Sequence, residues 1–355
     1  MSLIAILGAL LLEQIFPLSS YTRLRLSLRN AIEFIENALT SDSAKPWQIF
    51  WFITGGGALL AGLLGLIFQV IYPVVGLLFT LMVLYLTLGI RQFSHFFTKI
   101  RMALNANQGG EARAALSEWL HEEAEITGYR GSVVPEKLSD TEVIRQSLEL
   151  ALLSSLRYVF AGLFWFLLFA LIGLGPAGVV FYRLADLVSR RWILRADGKR
   201  DNYTVYARKM MHWIEFLPAR CAALIYAIVG NFEDAIHCWR TQAKKLRGLG
   251  ETDASAVILT SGAGALNITL RDGVMVKNQM PMDEHEQALY GEVNVDAEVS
   301  EDTQTVAGQI GVGNVPDTRT LQSAIGVFWR SMLFVLALLL MLTLKVIVRL
   351  PSLGR

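Results

Sequence analysis

The chain has 355 residues, of which 53% are apolar and only 18% charged, and its mean hydropathy is +0.43. Ordinary soluble domains carry about 25% charged residues, and residues 46–90 here hold no Asp, Glu, Lys or Arg at all. This excludes a soluble enzyme and a disordered chain and leaves an integral membrane protein with sizeable polar segments. A net charge of +1, from 32 basic and 31 acidic side chains, gives no electrostatic pull toward nucleic acid.

Residues 1–46 read as apolar and amphipathic N-terminal helices. Leu3–Phe16 is short for a crossing and contains Glu13, which belongs at the interface or against a polar interior. Met1 to Leu12 has neither a basic region nor a small-residue cleavage site, so it does not read as a signal peptide. Segment 47–90 is too long for a single crossing, since about 20 apolar residues span a bilayer. Tyr72-Pro73 lies near its middle and predicts a hairpin of two crossings, Trp47–Ile71 and Val74–Ile90. Gly55-Gly56-Gly57, Gly62 and Gly65 in the first limb permit close helix contact. Segment 91–157 is polar and helical. Ala103–Ala124 has apolar residues at helical spacing, interrupted at Asn107-Gln108-Gly109-Gly110. Gly128 to Ser139 reads as a loop, and Ser139 with Glu142 forms a capping box for the next helix.

Segment 158–182 is charge-free between Arg157 and Arg183 but is broken by Gly173-Leu174-Gly175-Pro176-Ala177-Gly178. Arg91, Lys99 and Arg101 before it, and the basic run from Arg183 to Lys209 after it, all belong on the cytoplasmic side. A single crossing would separate them, so either the chain turns back at the Gly-Pro break, the favoured reading, or one of the weaker apolar segments also crosses. Segment 183–278 is basic and helical, with Pro218 as a break and Gly248 as a stop. Within it, Cys221–Phe232 and Ala254–Leu270 are short for crossings and suit buried or re-entrant stretches, and Cys221 and Cys238 read as buried free thiols. Segment 279–319 reads as an acidic flexible insertion: nine acidic residues and no basic one lie between Lys277 and Arg319. Segment 320–350 ends in a transmembrane helix, Ser331–Leu350, whose Lys345 and Arg349 can snorkel to the interface. The fold class is therefore an all-α, polytopic integral membrane protein: a helical hairpin, a Gly/Pro-broken membrane helix, cytoplasmic helical segments and a C-terminal transmembrane helix.

Motif chemistry is sparse. The five histidines form neither HExxH nor a zinc-like cluster, and Gly262-Ala263-Gly264 is too short for a dinucleotide loop. No metal ligand or catalytic residue is assigned. The charged residues that stand out lie at the ends of apolar segments: Glu149, Arg183, Asp186 and Arg220. Arg183 and Asp186 share one helix face. Such residues serve as interfacial anchors, or they converge on a polar cavity where arginines hold a phosphorylated or carboxylated ligand.

Several short motifs occur in a telling order. Leu163-Phe164-Trp165, Gly175-Pro176-Ala177-Gly178 and Tyr182-Arg183 are followed by Leu217-Pro218-Ala219-Arg220, Trp239-Arg240 and Ala263-Gly264-Ala265-Leu266. Together they resemble the CobD/CbiB family, from Leu3 to the C-terminal helix. The resemblance implies a multi-pass protein of the bacterial inner membrane, with the lipid bilayer and a corrinoid or other anionic small molecule as partners. It further implies an adenosylcobinamide-phosphate synthase, which forms an amide between a cobyric-acid side chain and aminopropanol phosphate. There are departures. Glu13-Gln14-Ile15-Phe16-Pro17 stands where the family has an HPV-type motif, Leu153-Ser154-Ser155-Leu156-Arg157-Tyr158 replaces an ENTSDG-like run, and Ser189 replaces the last acid of a YRxxNTxD-like motif. No HPSPNSG-like stretch lies between Lys244 and Ser261. Mg²⁺ and ATP are thus implied only where synthase activity is retained. Ser154–Trp165, Glu215-Phe216-Leu217-Pro218-Ala219-Arg220 and Tyr226-Ala227-Ile228-Val229-Gly230 are also similar to the AmpE family. That similarity implies an alternative, an inner-membrane signalling or modulator protein without catalysis.

Overall fold

Proline and glycine set the punctuation of this chain. The structure is a computed structural model and describes residues 2–15, 30–36, 38, 45–127, 138–195, 202–248, 251–272 and 309–349. In chain order the described elements are α1 (Ser2–Ile15), α2 (Pro46–Ile71), α3 (Pro73–Thr87), α4 (Ile90–Asn105), α5 (Gly109–Thr127) and α6 (Asp140–Ser155). A π-helical turn, Leu156–Phe160, carries α6 into α7 (Ala161–Ala170). Then follow α8 (Gly175–Arg195), α9 (Asn202–Val229), α10 (Phe232–Gly248), α11 (Asp253–Ala265), β1 (Thr269–Arg271), β2 (Ile310–Gly311) and α12 (Thr318–Arg349). Among the described residues, Pro46–Ile71, Asp140–Ala170, Asn202–Val229 and Thr318–Met341 are long and apolar enough to cross a membrane. The protein is all-α and polytopic, apart from the small β1–β2 pair.

The predicted hairpin is α2–α3, but only α2 has the length of a crossing; α3, with 15 residues, is shorter than the expected second crossing. Tyr72 is the single non-helical residue between its limbs, and Pro73 starts the second limb without needing an amide partner. A Cβ on Gly76 would lie 2.7 Å from the Cα of Gln69, so the limbs touch backbone to backbone. The second limb stops at Thr87, short of the expected Ile90, which instead opens α4. At that helix end Arg183 donates to the Thr87 carbonyl. Along α2, Gly57 faces Leu184, Gly62 faces Leu174 and Ala177, and Gly65 faces Pro176. Small residues thus let α2 and α8 approach closely, which drives association where lipid removes the hydrophobic drive between helices.

The turn-back at the Gly-Pro break is present. Residues 171–174 form a Schellman turn: Leu174 N–H donates to Phe169 O at 2.9 Å and Gly173 N–H to Ala170 O at 3.1 Å. Gly173 has φ +80°, the left-handed region that glycine enters without strain. α8 then returns along α7, with Phe181 edge-on to Trp165 at 5.3 Å between ring centroids. Arg157 and Arg183, at the two ends of the stretch, are thereby brought to the same end of the hairpin.

One expectation is overturned. Pro218 does not break the chain; it sits inside the continuous helix α9, and Cys221–Val229, most of the expected Cys221–Phe232 stretch, is the end of a span-length helix rather than a short re-entrant piece. Proline removes the amide that would bond the carbonyl four residues earlier. That carbonyl, of Ile214, accepts instead from Trp165 Nε1 at 3.2 Å. The real break comes at Gly230-Asn231. α11 is buried along its whole length. A second correction concerns the acidic insertion: its last residues are not a loose linker, since Ile310–Gly311 pairs antiparallel with β1 and Gln242 holds both polar groups of Gly311.

Elsewhere the local chemistry works as expected. Ser139 and Glu142 form the capping box, and the α4–α5 break falls at Ala106–Gln108, with Asn107 at φ +57°. Glu13 is buried and faces the interior. Cys221 and Cys238 are free, the second buried and the first half-buried. Phe16, most of the 128–139 loop, insertion residues 279–308 and Leu350 lie outside the described residues.

Candidate functional site

The four predicted residues fall into two charged groups. The first lies on one face of α8, which carries Tyr182, Arg183, Asp186, Ser189 and Arg190 at helical spacing. Tyr182 Oη donates to Glu215 Oε1 of α9 at 3.1 Å, and Arg190 Nε donates to Asp186 Oδ1 at 2.5 Å. Arg157, Asp186 and Arg190 all act electrostatically on Glu215. Arg183 donates to the Tyr158 carbonyl at 3.0 Å and to the Thr87 carbonyl, with its guanidinium 5.1 Å from the Tyr158 ring centre. The π-helical turn, where carbonyls lose their usual α-helical amides, puts Tyr158 O within that reach. Tyr182, Asp186 and Ser189 are buried.

The second group is a belt joining α6, α9, α10, the start of α11 and the end of β1. Thr252 caps α11, accepting from Ser255 N–H at 3.2 Å, and sets Asp253 in the first turn, where the helix dipole favours a carboxylate. Arg220 donates to Asp253 Oδ2 at 2.8 Å and to Phe216 O at 2.9 Å, and it lies 3.5 Å above the Phe216 ring centre. Arg247 reaches the other Asp253 oxygen at 3.0 Å. Two residues before Asp253, Glu251 accepts from Arg271 at 3.2 Å, and Arg271 grips Glu149 through two parallel hydrogen bonds. Burial alone would lower the Arg271 pKa, but the Glu149 and Glu251 carboxylates outweigh it and hold that pKa above the ordinary arginine value. Arg145 and Asp272 close the belt at 2.5 Å.

Arg183 and Asp186 therefore belong to the first group, and Glu149 and Arg220 to the second. Sequence reasoning missed Glu215 as a partner, although it stands in the quoted Glu215–Arg220 motif. It also missed Asp253, whose signal is the Thr252/Ser255 cap, and Arg271 and Arg247, for which no local signal exists. The groove along α10, lined by Phe232, Glu233, Ile236, His237, Arg240 and Thr241, is open and contains neither group.

Mg²⁺ takes oxygen ligands and is usually held by one or two carboxylates plus substrate phosphates. Glu149, Asp186 and Asp253 are each engaged by arginines. Among the described residues no three His, Cys, Asp or Glu side chains come together to hold a metal ion. A Mg²⁺ carried on substrate phosphates would need only one or two carboxylates from the protein. Arg220 and Arg247 do fit an anion: a buried aspartate anchors one edge of each guanidinium, while each side chain remains partly exposed.

Fold and charged groups together define a multi-pass helical membrane protein with an arginine–carboxylate belt. The chain belongs to the CobD/CbiB family, whose model, described as CobD/Cbib protein, matches residues 7–298. It is 24% identical over 334 residues to the cobalamin biosynthesis protein CobD of Stutzerimonas stutzeri, covering 92% of this chain and 93% of that protein. It is 29% identical over 210 residues to the protein of the same name from Chromobacterium violaceum, covering 58% of this chain and 60% of that one. No solved structure gives a significant match.

Proposed function

We propose that this protein acts in cobalamin biosynthesis at the bacterial inner membrane, binding a corrinoid and coupling aminopropanol phosphate to adenosylcobyric acid through an amide bond. The observation that carries this reading is the match to a cobalamin biosynthesis protein along nearly the whole length of both chains. The belt supports it. Arg220 and Arg247 suit the phosphate of the small co-substrate, and Asp253, fixed at the start of α11, sets the direction in which they point. The test is turnover in detergent: adenosylcobyric acid, aminopropanol phosphate, ATP and Mg²⁺ are supplied, and adenosylcobinamide phosphate is followed by mass. Product is expected from the parent chain and not from folded Arg220→Ala. No product where a family synthase works under the same conditions ends the enzyme reading.

A second reading has one specific support: Asp186 in the first group and Glu149, Glu251 and Asp253 in the second are each engaged by an arginine. On this reading the protein is a non-catalytic, AmpE-like binding or modulator protein. Saturable corrinoid or phosphate binding without turnover would favour it.

A further inference from the structure

The α7–α8 hairpin is shallower than the α2–α3 hairpin it packs against. α8 runs antiparallel to α2, with Trp192 beside Phe50, Leu184 beside Gly57 and Pro176 beside Gly65. From Trp51 to Tyr72, α2 rises about 31 Å at 1.5 Å per residue, close to the hydrocarbon thickness of a bilayer. From Gly65, level with the start of α8, to Tyr72 it rises about 10 Å further. The start of α8, which follows the turn at 171–174, therefore lies roughly two-thirds of the way along the apolar part of α2.

That turn is built for an apolar setting. Leu171 is 83% exposed and Ile172 69% exposed, and no charged residue lies between Arg157 and Arg183. Its amides are satisfied from within: Leu171 N–H donates to Leu167 O at 3.3 Å and Ile172 N–H to Phe169 O at 3.1 Å. The Schellman pair takes those of Gly173 and Leu174, and Pro176 has none to satisfy. In water such closure is optional; in hydrocarbon each unsatisfied group costs several kcal/mol.

We infer that α7–α8 is a re-entrant hairpin whose tip rests in the hydrocarbon, so that it enters and leaves by one membrane face. Both ends, Arg157 and Arg183, lie toward that face. Glu149 precedes Arg157 by two turns of the same helix, so the belt lies toward that face too. Any ligand of either charged group arrives and departs on one side. The inference is independent of which ligand that is.

Single cysteines test it in the full chain, with Cys221 and Cys238 replaced by Ser and Ala. Ser139→Cys marks the water-facing start of α6, and Ile172→Cys marks the tip. With a membrane-impermeant maleimide applied to each face of sealed membranes, Ser139→Cys is labelled from one face and Ile172→Cys only after detergent is added. Labelling of Ile172→Cys from either face of intact membranes overturns the inference. Should the cysteine chain fail to fold, Ile172→Trp in the parent gives a second measurement. Its added fluorescence is quenched most by lipids brominated deep in the acyl chains, and strongest quenching by headgroup-proximal bromines overturns the inference.

Discussion

The two charged groups use the same side-chain types but differ in access to water. In the group built on α8, Tyr182 is 0% exposed, Asp186 4%, and Arg183 and its α9 neighbour Glu215 9% each. In the belt, Arg220 keeps 27% of its side chain exposed and Arg247 and Arg271 keep 38%. A sealed polar group contributes mainly to fold specificity, because opening it leaves uncompensated dipoles in low dielectric. A half-open belt on an anchored aspartate can exchange part of its hydration for a ligand at small cost to the fold. The expectation follows that substitutions on α8 act on stability and substitutions in the belt act on binding.

The largest effect sharpens that contrast at Arg183, which serves the carbonyls of both Thr87 and Tyr158. Leaving a buried carbonyl without a donor costs about 1–3 kcal/mol. Arg183→Met is expected to lose most of its monodisperse folded protein in detergent, read by size-exclusion chromatography and thermal unfolding. A near-parental melting midpoint would break the comparison. Next comes the proline helix. Trp165→Phe removes the donor to Ile214 O and is expected to cost about 1–2 kcal/mol. In a Pro218→Ala background the carbonyl regains its helical amide, and the same change is expected to cost much less in a double-mutant cycle.

In the belt, Arg220→Ala is expected to shift the melting midpoint little, since Arg247 still neutralises Asp253. It is expected to weaken binding of aminopropanol phosphate at least tenfold, measured by calorimetry in detergent. A variant that unfolds while binding survives in the remainder would reverse the roles assigned here. The smallest effect lies at the start of α12, where Asp317 accepts the Thr320 amide and hydroxyl, both at 2.9 Å. Those hydrogen bonds hold the Asp317 carboxyl below its usual range. A depressed carboxylate gives stability that is present above its unfolded value and lost as pH falls through the folded one. The advantage of the parent over Asp317→Asn, about 0.5 kcal/mol at this exposed site, is therefore expected to fade below about pH 4.

What was legible in the sequence rests on local chemistry. The hairpin at Tyr72-Pro73, the turn at Gly173–Pro176 and the Ser139/Glu142 cap each need only neighbouring residues. Pro218 reads as a break because the donor that satisfies the carbonyl losing its amide, Ile214 O, is Trp165, 49 positions from Ile214. Arg183 stood out as a cation, but nothing local shows that two helix carbonyls claim it. The belt draws on residues from Arg145 to Asp272, and only tertiary folding pairs them. Of the two arginines that share Asp253, Arg220 was visible and Arg247 was not, for the same reason.

α11 has no outer face. Every residue from Asp253 to Ala265 is buried, and most are Ala, Ser, Gly or Thr. Such a segment is too short and too weakly apolar to enter a bilayer by itself. It packs instead against α9 and α10, which precede it in the chain, and fills the slot between them as a keystone. A chain cut before residue 253 is therefore expected to leave that slot between α9 and α10 unfilled and to lose folded protein, read by size-exclusion chromatography in detergent.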